Sequence, residues 1–337
     1  MAFSRWGADY VKMDFCRGDV PLPNGSLIDP AAAYADFSRA LNKTGRPMYF
    51  LACYTAWVNK TTGLPRPGHR GPWEWAHPDT NAYRLGGDHH DSWVELEAEL
   101  ERNRDNSRHS IAGSFGDWDA LVTGGQGCVT DPSTGRPVPP PPAAPCSGGL
   151  VNPKVDCGPP GGGPAGVRCP NMTDPEYRTA FSIWVIAASP LIIDADVRNM
   201  TAFQRATLLD AEMLAIHTDP LARGGTRIGC CHDAGKADEG GGGRRHGNSN
   251  SSTALPGCTV GQVWAKPLMG NETAVALVNA AAWPQHLEFS FGLLGYGAAD
   301  TLQLRDVWGN RTDRAVGRFR SPTEVPSHGT LVLRVSR

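Results

Sequence analysis

The 337-residue chain lacks the features that mark several large protein classes. Its formal net charge is only −2, and its one strongly basic cluster, Arg244-Arg245-His246, lies in a Gly-rich loop, so neither nucleic acid nor an anionic membrane is an expected partner. No apolar run reaches the roughly 18 residues that a membrane-spanning helix needs. Residues 1–20 contain no secretory leader, because Asp9, Lys12 and Asp14 interrupt what would be its apolar core. A globular protein is therefore the expected class.

The sequence nevertheless has the composition of a secreted protein. Nine cysteines fit an oxidising compartment. Eight asparagines begin an N-x-S/T triplet, the acceptor for N-glycosylation: Asn24, Asn42, Asn59, Asn171, Asn199, Asn250, Asn271 and Asn310. We therefore expect a disulfide-containing glycoprotein of the secretory pathway, located outside the cell, in the cell wall, or in a vacuole or lysosome. Its natural N-terminus is then expected to lie upstream of Met1.

The pattern of hydrophobic residues predicts two different regions. Residues 1–222 alternate strand-like and helical segments, which predicts a parallel α/β sheet with crossover helices. Residues 223–258 form a Gly-rich loop or linker, and residues 259–337 contain short strands with no helical period. This last region is predicted to be a small antiparallel β domain.

An insertion interrupts the first region at 128–170. It is rich in Pro and Gly and has no hydrophobic period, so it cannot bury enough surface to fold alone. Its four cysteines are spaced 18, 11 and 12 residues apart without any C-x-x-C pair, which disfavours a zinc site. We expect a disulfide-stapled or partly disordered insertion and no metal.

Lys12, Asp14 and Cys16 alternate with apolar residues and therefore share one face of a predicted strand. A carboxylate between a cation and a sulfur, where a strand meets a loop, is typical of a catalytic group at the C-terminal mouth of a (β/α) barrel. The alternative is a solvated strand end. Asp117 and Asp119, two residues apart, could accept hydrogen bonds from sugar hydroxyls or form an Asx-type turn.

A second group of polar residues precedes the helix predicted at Trp93–Arg102. Asp88 follows two glycines, which allow close approach of the backbone to a ligand, although it could also be an acid near the start of the helix. Asp91 is the expected helix cap. The adjacent His89 and His90 point apart and have no evident third partner, so we interpret them as loop residues rather than metal ligands.

Several motifs occur in one order along the chain. Trp6 to Cys16 matches W-G-x-D-x-x-K-x-D-x-C, Arg84 to Trp93 is similar to R-x-x-x-D-[ID]-x-D-[ST]-W, and Gly113 to Leu121 falls on G-x-[WY]-N-D-P-D-M-L. Glu176 to Trp184, with Pro190 to Ile193, is similar to E-Y-R-x-H-F-S-I-W…A-P-L-L-I. Together they resemble the α-galactosidases of glycoside hydrolase family 27, the melibiase group, and most closely those of green plants.

The resemblance implies a (β/α)8 TIM barrel followed by an antiparallel β sandwich. It implies a retaining exo-glycosidase that releases terminal α-D-galactose from oligosaccharides or other glycoconjugates by double displacement, without a cofactor or metal. In that reading Asp14 is the nucleophile and Asp88 the acid/base. The expected substrate-binding residues are Lys12, Cys16, Tyr54, Arg84, Asp117 and Asp119.

The sequence also departs from the family in two ways. A family barrel has about three βα units before the Lys12–Asp14 strand, and only the C-terminal five or so are present here, so we expect a fragment. The family's C-E-W element is replaced by Cys53-Tyr54-Thr55, so Tyr54, or Cys53 with a one-residue shift, stands at the Glu position. The Glu that contacts the sugar 2-hydroxyl is therefore missing, which leaves α-N-acetylgalactosaminidase, β-L-arabinopyranosidase and a truncated carbohydrate-binding relative as alternatives.

Two further implications concern disulfides and assembly. In the family, the counterpart of Cys16 is disulfide-linked to a cysteine in the preceding barrel segment. Disulfide pairing in this chain is left open, as is the choice between a monomer and a homodimer.

Overall fold

The computed structural model of the chain describes residues 2–16, 23, 25–54, 70–123, 129–130, 137–138, 172–195, 197–231, 258 and 260–337. The α-helices of this part of the chain are α1 (Ala2–Arg5), α2 (Pro30–Asn42), α3 (Trp93–Arg102), α4 (Asp174–Ala187), α5 (Ala202–Leu208) and α6 (Ala211–His217). None of them is both long and apolar enough to cross a membrane. The insertion's four cysteines, Cys128, Cys146, Cys157 and Cys169, lie outside the described residues, as does the Arg244-Arg245-His246 cluster.

The strands fall into two sets along the chain. The first set is β1 (Tyr10–Asp14), β2 (Tyr49–Cys53), β3 (Ala82–Arg84), β4 (Phe115–Asp117), β5 (Leu121–Val122), β6 (Val129–Thr130), β7 (Pro137–Val138) and β8 (Ile193–Asp194). The second set is β9 (Thr226–Cys230), β10 (Gly261–Leu268), β11 (Glu272–Asn279), β12 (Glu288–Ser290), β13 (Thr301–Asp306), β14 (Arg311–Val316), β15 (Arg318–Arg320) and β16 (Thr330–Ser336).

The first set is mainly parallel, as the alternation of strands and helices predicts. Strands β1 to β4 form a four-stranded sheet in chain order, with parallel pairing throughout, and β5 pairs in parallel with β8. Helix α2 crosses from β1 to β2, and its start follows local chemistry: Asp29 accepts a hydrogen bond from the Ala31 amide, and Pro30 opens the first turn. Within the insertion, the described residues form the small antiparallel pair β6–β7.

The second set is antiparallel. Six strands form one sheet in the order β14-β13-β16-β11-β10-β9, and β12 pairs with β15. Apolar side chains from both groups make a separate core that includes Leu277, Phe289, Leu304 and Leu333, each at most 1% exposed. The sequence predicts five short strands in this region, over residues 262–266, 273–279, 286–291, 302–308 and 330–335, and they correspond to β10, β11, β12, β13 and β16.

Helix α4 lies between these two sets of strands and is buried on nearly every side. Its Trp184 ring contacts Trp118, with ring centroids 5.4 Å apart, and Trp118 in turn contacts Trp264 of β10 at 5.9 Å. The Asp174-Pro175 pair in the sequence predicts a helix cap at Asp174, but a Thr173–Glu176 capping box begins the helix, so the cap is Thr173. The helix therefore joins the parallel sheet to the antiparallel sheet.

Three segments differ from what their sequences predict, and β14 and β15 are strands that the sequence does not predict. Thr201 and the apolar residues Leu208, Leu209, Met213 and Ile216 predict a single helix, but that helix ends at Leu208, because Asp210 accepts hydrogen bonds from the amides of Glu212 and Met213 and starts a second helix. The apolar run over residues 190–194 predicts a strand, but only Ile193–Asp194 forms one. The third difference lies in the predicted linker at 223–258, whose described part contains β9, with Cys230 disulfide-bonded to Cys258.

Lys266 of β10 is a cation buried between the antiparallel sheet and two helices. Its side chain is fully inaccessible, and Nζ donates to the carbonyl oxygens of Val185 in α4 and His217 in α6, at 3.2 Å each. Burial lowers the pKa of Lys266 to about 8, although Asp219 opposes this shift. The folded protein therefore binds this proton less tightly than the unfolded chain does.

This burial predicts a pH-dependent contribution to stability. Between about pH 8 and the usual lysine pKa near 10.5, the unfolded chain keeps the proton that the folded protein loses, so the contribution of Lys266 to stability rises with pH. From pH 7 to pH 10, the unfolding free energy of the wild type should gain about 2 kcal/mol relative to Lys266→Met. Denaturant titration at both pH values measures this, with the exposed Lys43→Met as control. A constant difference would contradict the prediction.

Candidate active site

The C-terminal ends of the four parallel strands bring four polar side chains into one row. Asp14 pairs with Cys53, and Arg84 pairs with Asp117. Leu51 pairs with Ala82, so Cys53 and Arg84, each two residues further along, lie side by side on the same face. With strands about 4.8 Å apart, the backbones of Asp14 and Arg84 are roughly 10 Å apart. The four side chains therefore form one polar row along the carboxyl edge of the sheet.

Arg84 is the centre of this row and is only 1% exposed. Its Nη1 lies 2.5 Å from Asp119 Oδ1, and its Nη2 donates to Gly87 O at 2.6 Å and to Asp88 Oδ1 at 3.2 Å. Its Nε lies 3.8 Å from Asp117 Oδ2. Burial alone would lower the pKa of Arg84, but the carboxylates of Asp119 and Asp117 outweigh it and raise the pKa. Three carboxylates therefore share one buried guanidinium.

Asp117 and Asp119 occupy the end of β4. Burial raises the pKa of Asp117 to about 6, although Arg84 opposes the rise. The Asp119 amide donates to Asp117 Oδ1 at 3.0 Å, which is the Asx-type turn considered as the alternative. Asp119 itself adopts a φ of 90°, a left-handed conformation that is strained for a residue with a side chain. Asp117 thus holds the turn that directs Asp119 towards Arg84.

Lys12 and Asp14 share a face of β1, as predicted, with Val11 buried between exposed neighbours. Lys12 Nζ lies 3.7 Å from Asp14 Oδ1, and the two side chains are 38% and 58% exposed. Burial raises the pKa of the neighbouring Cys53 to about 12, so its thiol is protonated and acts as a hydrogen-bond donor to Asp14. Asp14 is therefore accessible while contacting two polar groups.

Cys16 and Tyr54 lie outside the Arg84 cluster. Cys16, two residues beyond Asp14, is an exposed free thiol. Tyr54 is 5% exposed, and its ring contacts the edges of Phe15 and Trp75 at centroid distances of 5.3 and 5.8 Å. The structure therefore places Tyr54 mainly in the aromatic core under the strand ends, and its contact with a substrate stays a prediction.

The loop from β3 to α3 presents Asp88 to solvent, with 77% of its side chain exposed. Asp91 is not the helix cap that the sequence suggests, because Ser92 occupies that position. Asp91 is buried instead and accepts hydrogen bonds from Tyr177 Oη at 2.8 Å and from the Met172 amide at 3.0 Å. Sequence reasoning also missed that His89 is buried, because its partner Glu99 is ten residues away and belongs to no motif.

A second feature of the same strands is an apolar cavity of about 440 Å³. Its lining includes Tyr10, Tyr49 and Phe115, which come from the opening residues of β1, β2 and β4. The cavity therefore lies towards the other end of the strands from the carboxylates. Within the described ranges, no group of three His, Cys, Asp or Glu side chains is placed to hold a metal ion.

The shared guanidinium predicts that removing Arg84 costs more than removing an exposed arginine. Arg84→Met leaves Asp117 and Asp119 buried without their cation, so we expect a loss of about 3–5 kcal/mol in unfolding free energy. Arg318→Met is the matched control, because Arg318 is 74% exposed and pairs with Glu288; its expected loss is about 1 kcal/mol or less. Denaturant titration compares the two variants, and equal losses would show that the Arg84 cluster does not stabilise the fold.

The sequence matches two family models in regions that correspond to these two sets of strands. The model described as alpha galactosidase A matches residues 1–136, and the model described as the alpha galactosidase C-terminal beta sandwich domain matches residues 260–335. Alpha-galactosidase 3 of Arabidopsis thaliana is 25% identical over 324 residues, which cover 96% of this chain and 54% of that protein. The chain also spans only part of the length of its curated relatives. It covers 63% of a probable alpha-galactosidase of Dictyostelium discoideum and 59% of the alpha-galactosidase of Coffea arabica, beside the 54% of the Arabidopsis protein.

Solved structures show the same fold. Alpha-galactosidase I from Mortierella vinacea superposes with a TM-score of 0.63 at 19% identity, covering 99% of this chain and 69% of that structure. A family 27 β-L-arabinopyranosidase from Geobacillus stearothermophilus gives 0.65 at 17% identity, covering 99% and 59%. These likenesses confirm the predicted fold class: part of a TIM barrel, followed by an antiparallel β domain.

Proposed function

The chain belongs to the melibiase type of glycoside hydrolase family 27, and on that premise we propose that it acts as a retaining exo-glycosidase on terminal α-D-galactosyl residues. The observation that supports this most directly is that two accessible carboxyl groups lie at the carboxyl ends of the same parallel sheet: Asp14 ends β1 beside Lys12, and Asp88 pairs with the buried Arg84 that ends β3. Oligosaccharides and other glycoconjugates that end in α-galactose are the proposed substrates, and no cofactor takes part in the proposed reaction.

The proposed mechanism uses the two carboxyl groups in turn. Asp14 attacks the anomeric carbon while Asp88 transfers its proton to the departing glycosidic oxygen, which gives a galactosyl-enzyme ester and the free alcohol. Asp88 then takes a proton from water, whose oxygen attacks the same carbon, releases galactose and restores the Asp14 carboxylate. Such retaining chemistry needs the two carboxyl groups about 5–5.5 Å apart around the sugar.

The surroundings of the two groups suit these different tasks. Lys12 places a positive charge 3.7 Å from Asp14, the carboxylate that must attack in its ionised form. The positive charge of Arg84 is shared among three carboxyl groups, because Asp119 and Asp117 lie beside the same guanidinium as Asp88. Since Asp88 is the most exposed of these three carboxyl groups, it can exchange protons with solvent.

This mechanism predicts distinct losses for the two carboxyl groups. Asp14→Asn should lower hydrolysis of 4-nitrophenyl α-galactoside by about 10³-fold or more, because no ester can form. Asp88→Asn should lower kcat/KM by roughly 10²–10⁴-fold for a galactoside whose leaving group needs a proton. Asp36→Asn, on the exposed surface of α2, is the control and should keep full activity. Hydrolysis that survives Asp14→Asn would exclude Asp14 as the nucleophile.

Selectivity at the sugar 2-position is the second part of the proposal. Tyr54, or Cys53 if the alignment shifts by one residue, stands where the family motif has Glu, so the carboxylate expected to contact the 2-hydroxyl is absent. That observation keeps α-N-acetylgalactosaminidase as a second candidate, and the likeness to a β-L-arabinopyranosidase structure adds a third.

Three chromogenic substrates decide between these candidates. We expect kcat/KM for the α-galactoside to exceed that for the α-N-acetylgalactosaminide and for the β-L-arabinopyranoside by at least about tenfold, because a missing or added substituent in a fitted pocket costs 1–3 kcal/mol. A preference for either other substrate would replace the galactosidase assignment. Galactose binding without hydrolysis of any of the three would indicate the carbohydrate-binding alternative.

We also propose that the protein acts in the secretory pathway. Three of the triplet asparagines fall in the described part of the chain with exposed side chains: Asn42, Asn271 and Asn310. Asn271 immediately precedes β11 and Asn310 immediately precedes β14, and both have positive φ values, 61° and 50°. Attachment of glycans at these positions would not disturb either core.

A further inference from the structure

The loop that carries Asp88 sends successive side chains in opposite directions. Asp88 points outwards with 77% of its side chain exposed, whereas the side chain of His89 is fully inaccessible. His90 is exposed again. The two glycines before Asp88 would by themselves let its backbone move freely. The buried side chain of His89 is the contact that can restrict this motion.

His89 is held inside by an ion pair with helix α3. Its Nδ1 lies 3.1 Å from Glu99 Oε2, and only 4% of the Glu99 side chain is exposed. On its other side the imidazole contacts the Trp184 ring of α4, with ring centroids 4.9 Å apart. Contacts with α3 and α4 therefore fix the position of the His89 ring.

The charges around His89 are mainly acidic. Glu99 and Glu95 face it from α3, and Asp119 faces it from the turn after β4. Burial alone lowers the pKa of His89, but Glu99 outweighs burial and raises it above its usual value. Both side chains of the pair are buried, so removal of either one leaves the other buried without the group it faces.

The backbone on both sides of Asp88 is fixed to the same cluster. The His89 amide donates to Asp119 Oδ2 at 2.8 Å, and Arg84 Nη2 donates to the carbonyl oxygen of Gly87 at 2.6 Å. Asp119 Oδ1 in turn accepts from Arg84 Nη1 at 2.5 Å. The backbone is therefore held by a hydrogen bond on each side of Asp88. The side chain of His89 adds a third contact, which reaches into the core.

We propose that His89, through its buried pair with Glu99, is a positioning residue that holds Asp88 in place for proton transfer to the glycosidic oxygen. The inference rests on the proposed function, in which Asp88 is the general acid. A general acid that is displaced by about 1 Å can lose roughly 10²-fold in rate. His89 itself does not contact the substrate in this proposal.

The test uses the dependence of rate on the leaving group. His89→Gln and Glu99→Gln are assayed on methyl α-galactoside, whose leaving group needs a proton, and on 2,4-dinitrophenyl α-galactoside, whose leaving group does not. We expect kcat/KM to fall by about 10–100-fold on the methyl galactoside and by less than about threefold on the dinitrophenyl galactoside. His90→Gln is the matched control in the same loop and should match the wild type on both substrates.

Other results would overturn the proposal. Equal losses on both substrates would indicate a general structural role, and full activity of both variants would show that the pair does not position Asp88. Thermal melting is followed in parallel. If His89→Gln is unfolded at the assay temperature, Glu99→Gln decides, because its amide still offers the imidazole a hydrogen-bond acceptor.

Hydrogen exchange separates this inference from the proposed function. If the wild type hydrolyses neither galactoside, the proposed function fails, while the anchoring can still be read from the amides of residues 86–91. These amides should exchange at least about tenfold faster in His89→Gln than in the wild type or His90→Gln. Unchanged exchange would overturn the anchoring independently of any activity.

Discussion

The burial of one guanidinium, that of Arg84, is the constraint on which the rest of the site depends. A buried cation is tolerated only where carboxylates and carbonyl oxygens replace its lost water, and here they come from β4, from the turn after it and from the β3–α3 loop. Each contributor is held in one position by that requirement. Two separate stretches of the chain, residues 84–88 and 117–119, are thereby fixed around one point at the carboxyl ends of the strands.

This cluster is connected to the antiparallel sheet through α4. Trp184 donates from Nε1 to the carbonyl oxygen of Asp119 at 2.9 Å, while the same helix accepts the Lys266 ammonium from β10 at the carbonyl of Val185. Near the middle of α4, Thr179 Oγ1 donates to the carbonyl oxygen of His328, just before β16. The second sheet therefore supports the site mechanically, since it fixes the helix against which the Asp119 turn rests.

The features that sequence reasoning could predict are those with a local cause. Alternation along β1 identifies the shared face of Lys12 and Asp14, and the Thr201–Gln204 capping box fixes where α5 starts. Features with a distant cause were missed. The pairing of β9 with β10 depends on contacts across residues 223–258, and β14 is an edge strand of mostly exposed charged residues that shows no inward face. The His89–Glu99 pair likewise joins residues that no spacing rule connects.

The exposure of the four acids separates their roles. A carboxyl group that only compensates a buried cation is most effective when water is excluded, and Asp117 and Asp119 have side chains that are 5% and 17% exposed. A carboxyl group that must contact a sugar and exchange a proton has to reach solvent, and Asp14 and Asp88 are 58% and 77% exposed. In the proposed mechanism, the buried pair compensates the charge of Arg84, while the exposed pair carries out the chemistry. On this argument, the accessibility of Asp14 and Asp88 is the part of the arrangement that a substrate would change, whereas the pairing of Arg84 with Asp119 would persist when the sugar binds.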